Sequence, residues 1–315
     1  MGLVLSALFA ATVQAQPKVA ASIKPVHALV SAVMGETGAP GLIFRGNTSP
    51  HHMALRPSQQ RMIEDAGIIF YIGPGLEGPL EKPFSRRAAS GARIVALIEA
   101  PGLQLLPIRE SSIWPHIEHG DHDDHADHDD HADHDDHAED GAHDQHIWLD
   151  PRNARAMTMQ IADVLAKADP ANAATYRSNA KLFSGELNRL ETGITTRLGP
   201  VRSKPFIVFH DGYQYFEKRF ALNAAGAIAA DPDKRPGVRR LRDIRRVIAE
   251  RGAVCVFAEP QFEVSYVATV IEGTSARAAQ LDPIGATAQS GSNAYITMMT
   301  VMADSIANCL GPADQ

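Results

Sequence analysis

Apolar residues along this chain come in short continuous runs, separated by polar stretches with helical spacing. Val19-Ala20-Ala21-Ser22-Ile23 is one such run, and Pro25 to Met34 follows with helical periodicity and stops at Gly35. Leu42-Ile43-Phe44 reads as a second strand, and Pro57 is well placed as the first residue of a helix that ends at Gly67. Ile68-Ile69-Phe70-Tyr71-Ile72 is a third strand, closed by Gly73-Pro74-Gly75, and Arg93 to Ile98 is a fourth. Strands that are apolar throughout and alternate with helices predict a parallel sheet covered on both faces.

The pattern breaks between Trp114 and His146, where almost every residue is histidine or acidic. A helical region follows, interrupted at Asp169-Pro170; from Pro170 to Leu198 only two isolated glycines disturb the helix pattern. A helix of that length spans about 40–45 Å at ~1.5 Å per residue, too long for one small lobe, and reads as a rigid strut between two. The alternation then resumes. Phe206 to Phe209 is a strand, Tyr213 to Phe220 a helix, Pro236 to Glu250 a helix stopped by Gly252, Ala253 to Ala258 a strand, and Tyr295 to Leu310 a final amphipathic helix. The expected fold is α/β. Two lobes, residues 17–150 and 200–315, each carry a parallel β-sheet flanked by helices, and the helical region 151–199 joins them through its long helix. Ligands of such sheets sit beyond the carboxyl ends of the strands, which points to the interlobe cleft.

Charge is distributed unevenly. The formal net charge is −7, but 13 of the 37 acidic residues fall between Trp114 and His146, a segment without Lys or Arg. The rest of the chain sets 24 acidic residues against 30 basic ones, a net of about +6. An acidic segment of this density repels phosphates and argues against nucleic-acid binding. Eight basic residues lie between Lys234 and Arg251, either as a solvated helix face or as a docking surface. At the N-terminus, the apolar run Gly2 to Val13 is shorter than the about 20 residues a transmembrane anchor needs. It ends in Val13-Gln14-Ala15, similar to a signal-peptidase site, so residues 1–15 read as an export signal cleaved near Ala15. In an exported protein the two cysteines, Cys255 and Cys309, suggest a disulfide closing a loop of roughly 55 residues; two buried thiols are the alternative.

Three histidines outside the regular repeat stand at the ends of ordered-looking elements: His51 after the second strand, His146 where the acidic segment returns to apolar sequence, and His210 at the carboxyl end of the first strand of the second lobe. Three imidazoles converging in a cleft favour zinc, whereas magnesium and calcium prefer oxygen ligands. The fourth position is open to Asp282, a water or His52. Asp211 could orient the imidazole of His210 or a bound water, and Glu259 could line the cleft floor. Trp148 is expected to pack in the core and fix His146. A three-histidine zinc site with an open position also suits a hydrolase, but the chain has no His-Glu-x-x-His, Gly-x-Ser-x-Gly or P-loop motif.

Several stretches together carry a family resemblance: Pro50-His51 with Leu55-Arg56-Pro57-Ser58, His146-Ile147-Trp148-Leu149-Asp150-Pro151, Phe209-His210-Asp211-Gly212-Tyr213 with Tyr215-Phe216-Glu217, Phe257-Ala258-Glu259-Pro260-Gln261-Phe262, and Leu281-Asp282-Pro283. In these the chain resembles, over essentially its whole mature length, the periplasmic zinc-binding component of ABC-type zinc uptake systems, within the metal-binding group of solute-binding proteins. The resemblance implies zinc ligation by His51, His146 and His210, two lobes joined by a long rigid helix, and a disulfide between Cys255 and Cys309. It also implies an inner-membrane ABC permease as partner, and we expect a monomeric periplasmic protein that is not an enzyme. The manganese-binding branch shares the fold but usually carries a carboxylate where His210 stands, and is the alternative reading.

From His119 to His137 the histidines recur every third residue as His-Asp-Asp-His-Ala-Asp. Asp is a poor helix former and the carboxylates repel one another, so residues 115–145 are expected to form a disordered loop without metal. His119, His122, His125, His128, His131, His134 and His137 are expected to bind zinc weakly and raise its concentration near the cleft. A plain hydrophilic spacer is the alternative.

Overall fold

The computed structural model describes residues 16–47, 49–51, 54–109, 143–229, 234–287 and 289–312. The first lobe contains β1 (Val19–Ala21), α1 (Lys24–Met34), β2 (Gly41–Leu42), α2 (Pro57–Asp65), β3 (Ile68–Tyr71), α3 (Pro74–Glu77), α4 (Glu81–Ala89) and β4 (Arg93–Ala96). Its four strands are parallel, in the order β2-β1-β3-β4. Next come α5 (Pro151–Ala168) and α6 (Ala173–Leu198). The second lobe contains β5 (Phe206–His210), α7 (Gln214–Phe220), β6 (Ala224–Ala229), α8 (Val238–Arg251), β7 (Cys255–Ala258), α9 (Ser265–Ile271), β8 (Arg277–Gln280) and α10 (Ala294–Leu310). Its sheet is also parallel, in the order β6-β5-β7-β8. The two-lobed α/β fold is therefore the one the hydrophobic pattern predicts.

Some elements differ from their sequence expectation. The second strand is only Gly41–Leu42; beyond it the buried Ile43 and Phe44 still donate their amides to Ala21 O and Ser22 O. Pro170 to Asn172 is a 3-10 turn, so the long helix starts at Ala173 and runs for 26 residues. Nor is that helix a lone strut. It folds back on α5, with Arg152 bonding Glu191 and Arg155 bonding Asn188, an antiparallel register. One buried face of α6, from Tyr176 through Phe183, Leu187 and Ile194 to Leu198, carries the core from one lobe to the other. Pattern reading also missed β6, whose Ala-Ala-Gly-Ala-Ile-Ala has too little apolar bulk to signal a strand, and β8, whose Arg-Ala-Ala-Gln alternates half-buried with exposed positions. The pair β7 and α10 is joined by a disulfide between Cys255 and Cys309. Among the described residues no helix is long and apolar enough to cross a membrane.

The lobes are held together around the cleft by polar contacts. Trp148 Nε1 donates to Pro283 O at 2.7 Å, and Tyr295 Oη to Trp148 O at 2.6 Å. Lys24 Nζ reaches Gly285 O at 3.0 Å, while Arg219 pairs with Asp150 at 2.5 Å.

Candidate metal centre

Each of the three histidines is positioned by local sequence. His51 lies in the connection from β2 to α2, where its N–H donates to Ser49 Oγ. His146 immediately precedes the 3-10 turn Ile147–Leu149 and α5, whose start is fixed by Pro151 in the first turn and by Asp150, which accepts from Arg152 N at 2.8 Å. Trp148, fully buried, places its ring 5.3 Å from that of His146. His210 is the last residue of β5. The β5–β7 register pairs Phe206 with Cys255 and Ile207 with Val256, and the same offset of 49 places His210 beside Glu259.

The three rings converge. Nε2 of His146 lies 3.3 Å from Nε2 of His51 and 3.3 Å from Nε2 of His210. The other nitrogens of two rings are held by buried carboxylates: His146 Nδ1 by Asp144 Oδ1 at 2.7 Å, and His210 Nδ1 by Glu259 Oε1 at 2.6 Å. A carboxylate only accepts, so in the neutral imidazole the proton sits on Nδ1 and Nε2 presents a lone pair. Lone pairs facing each other at this distance repel unless a cation lies between them. Four ligands arranged tetrahedrally at ~2.0–2.1 Å from zinc are about 3.3–3.4 Å apart, and the two 3.3 Å separations match that edge. His51, His146 and His210 form the only group of three or more metal-ligating side chains among the described residues.

The other sequence candidates fall elsewhere. Asp282, expected as a possible fourth ligand, turns away: its carboxylate accepts from Ala286 N at 2.9 Å, Thr287 N at 3.0 Å and Thr287 Oγ1 at 3.1 Å, capping the turn after β8. Asp211 does not orient His210, because Glu259 does. Asp211 instead pairs with Arg109 at 2.9 Å, and the same guanidinium holds Glu217 at 2.5 Å. Burial pushes the Asp211 carboxyl up to about 7 and also raises Glu217, in both cases against the pull of Arg109. One guanidinium serves both buried carboxylates, with Asp144 close by, so acidic groups crowd this side of the centre.

The acidic segment joins the fold sooner than expected. Residues 143–145, assigned to the loop 115–145, are ordered: His143 bridges Pro107, Asp144 N donates to Leu106 O at 2.8 Å, and Asp144 and Gln145 are buried. Asp144 Oδ1 accepts from the backbone N–H of His146 and pairs with its Nδ1, which ties this stretch to the centre. His52 and the tract histidines His119, His122, His125, His128, His131, His134 and His137 lie outside the described residues, as does the expected signal segment 1–15. The sequence reading passed over Asp144 and Arg109. Asp144 was hidden among eleven aspartates of similar context; its spacing, two residues before a histidine at the return to apolar sequence, was the available signal.

Two α/β lobes on a helical backbone, with converging imidazoles in the cleft between them, define a metal-binding solute-binding protein. Residues 19–309 match the family model described as ZnuA, zinc-uptake complex component A, periplasmic, and the chain belongs to that family. It is 46% identical to the high-affinity zinc uptake system protein ZnuA of Brucella abortus (strain 2308), across 93% of this chain and 91% of that protein. The protein of the same name from Yersinia pestis is 32% identical over 94% and 92% of the two chains. Among solved structures, one described as ZnuA superposes with a TM-score of 0.76 at 24% identity, covering 94% of this chain and 99% of that one. The periplasmic zinc-binding protein TroA from Treponema pallidum superposes with a TM-score of 0.75 at 16% identity, covering 94% and 100%. These two structural likenesses speak for the fold.

Proposed function

We propose that this protein captures Zn2+ in the periplasm through His51, His146 and His210 and delivers it to an inner-membrane ABC permease. The observation that carries this reading is the pair of 3.3 Å Nε2 separations, with two rings oriented by carboxylates so that their lone pairs converge. An all-imidazole set suits zinc; a manganese carrier of this fold would gain from a carboxylate in place of His210. The relatives named above are described as zinc uptake proteins, which supports transport over catalysis. The chemistry agrees, because both carboxylates nearest the rings are committed to orienting imidazoles, which leaves neither as a general base at the metal. Export is accompanied by signal cleavage near Ala15, and the mature chain acts as a monomer. Interlobe contacts through Trp148, Lys24 and Arg219 favour small movements on loading over a wide hinge opening.

Competition titrations with chelators test the reading. Zinc should bind at one tight site and outcompete manganese by a wide margin. Tighter manganese than zinc binding would move the protein to the manganese branch. Ester or peptide turnover that disappears in His210→Ala would replace transport with hydrolysis.

A further inference from the structure

We infer that Gln261 completes the metal centre by holding a water molecule in the fourth coordination position of the bound ion. The inference rests on the three-histidine reading above and adds to it a residue that does not touch the metal. Three imidazoles occupy three corners of a tetrahedron. Among the described residues no further His, Cys or carboxylate atom joins them. Two cavities touch the three rings: one of about 220 Å³ lined also by Arg109, Asp144 and Asp211, and a small one walled by Trp148, Phe262, Pro283 and Ile284. The free space of the small one is about 10 Å³, the scale of one water centre.

Three polar side chains besides the histidines reach this cavity, and two are committed: Ser49 Oγ to His51 N, and Glu259 to His210. The third is Gln261. Its Oε1 is shielded from solvent and has no hydrogen-bond partner. The orientation of its amide follows from chemistry. Gln261 bonds Asp282 Oδ1 at 3.4 Å, and because a carboxylate only accepts, the end facing Asp282 must be the donor Nε2. Oε1 is the opposite end. Asp282 is itself locked by the two backbone N–H groups and the hydroxyl of its turn. The aspartate that the sequence offered as a ligand therefore acts two steps away, as the anchor of the glutamine.

A buried amide oxygen without a partner is costly. A metal-bound water supplies what it lacks, because the ion polarises the water and makes it a strong donor. One proton of that water would go to Gln261 Oε1 while its oxygen faces the ion. Gln261 is thus a positioning residue.

The test uses the full mature protein, with zinc affinity from chelator competition and the visible spectrum of the cobalt(II)-loaded form. Gln261→Leu should bind zinc about 10–100-fold more weakly, with an unchanged melting temperature for the metal-free protein. Gln261→Glu keeps the acceptor oxygen but loses the donor to Asp282, so it should restore only part of the affinity. Azide should shift the cobalt spectrum of the wild type by replacing the water. Wild-type zinc affinity in Gln261→Leu would overturn the inference, as would a wild-type cobalt spectrum indifferent to azide, which would mean that a side chain fills the fourth position. Failure of the underlying three-histidine reading looks different: zinc would then bind His210→Ala as tightly as the wild type.

Discussion

A methyl group at position 212 would lie 2.4 Å from His210 Nε2 and 3.0 Å from His146 Nε2. Glycine is therefore required there by the space where the imidazoles meet, and Gly212→Ala should abolish tight zinc binding without altering any ligand, as a zinc titration would show. His51→Ala, His146→Ala and His210→Ala should each weaken tight binding by more than any single substitution in the repeat. Asp144→Asn and Glu259→Gln should each cost about 10–100-fold in zinc affinity, since each loosens the orientation of one ring. Of the three candidate ligands, His146 and His210 stand at the ends of elements, whereas His51 lies within the connection from β2 to α2 and was marked only by its Leu-Arg-Pro-Ser context. Their carboxylate partners were less legible: Glu259 is fixed by strand register, which the sequence does not display, and Asp144 lies in a run of equivalent aspartates.

Glu77 makes a separate prediction at this scale. Its carboxyl is buried at the carboxyl end of the first sheet, accepts from Ile72 N at 2.7 Å and Gly73 N at 3.1 Å, and burial pushes it up to about 7 from an ordinary 4.5. A folded-state value above the unfolded one means that the native protein binds the extra proton. This contribution to stability is complete below about pH 4.5 and is lost as pH rises through 7. The difference corresponds to at most about 3 kcal/mol. Denaturant unfolding of Glu77→Gln, which keeps an acceptor for both amides, should show a flatter dependence than the wild type between pH 5 and pH 8.

Among the elements, α10 is the one most dependent on a covalent tie. The disulfide links it to β7 across a sequence separation of 54, and Arg277 reinforces the same end by donating to Cys309 O and to Gly311 O. Replacing both cysteines by serine should lower stability by about 4 kcal/mol, measured by denaturant unfolding, and leave zinc affinity of the folded protein unchanged because the centre is built on other elements. Helices with long apolar stripes were read from sequence, but the shorter α3, α4 and α9 were not. The short strands β6 and β8 were not, because alanine serves both a close-packed strand and a helix, and only the neighbouring strands decide between them.

Over the whole molecule, the tight site and the histidine-rich tract should be separable. Arg109 and His143 are the described residues that flank the tract, and the β-bridge between Pro107 and His143 holds these flanks together beside the centre. Deleting residues 118–140 should leave one tight zinc site and remove weaker ones, giving a lower zinc stoichiometry by calorimetry at unchanged tight affinity. Loss of the tight site would mean that the tract supplies a ligand. The charge imbalance visible in the sequence belongs to this tract, while the cleft owes its negative character to Asp144, Asp211, Glu217 and Glu259, gathered from both lobes.

One zinc ion should sit where His51, His146 and His210 meet. Anomalous diffraction at the zinc edge from crystals of the zinc-loaded protein tests it directly. A single strong peak about 2.0–2.1 Å from all three Nε2 atoms is the predicted result. A principal peak elsewhere, or one that leaves the Nε2 of any of these histidines outside bonding distance, would contradict the account.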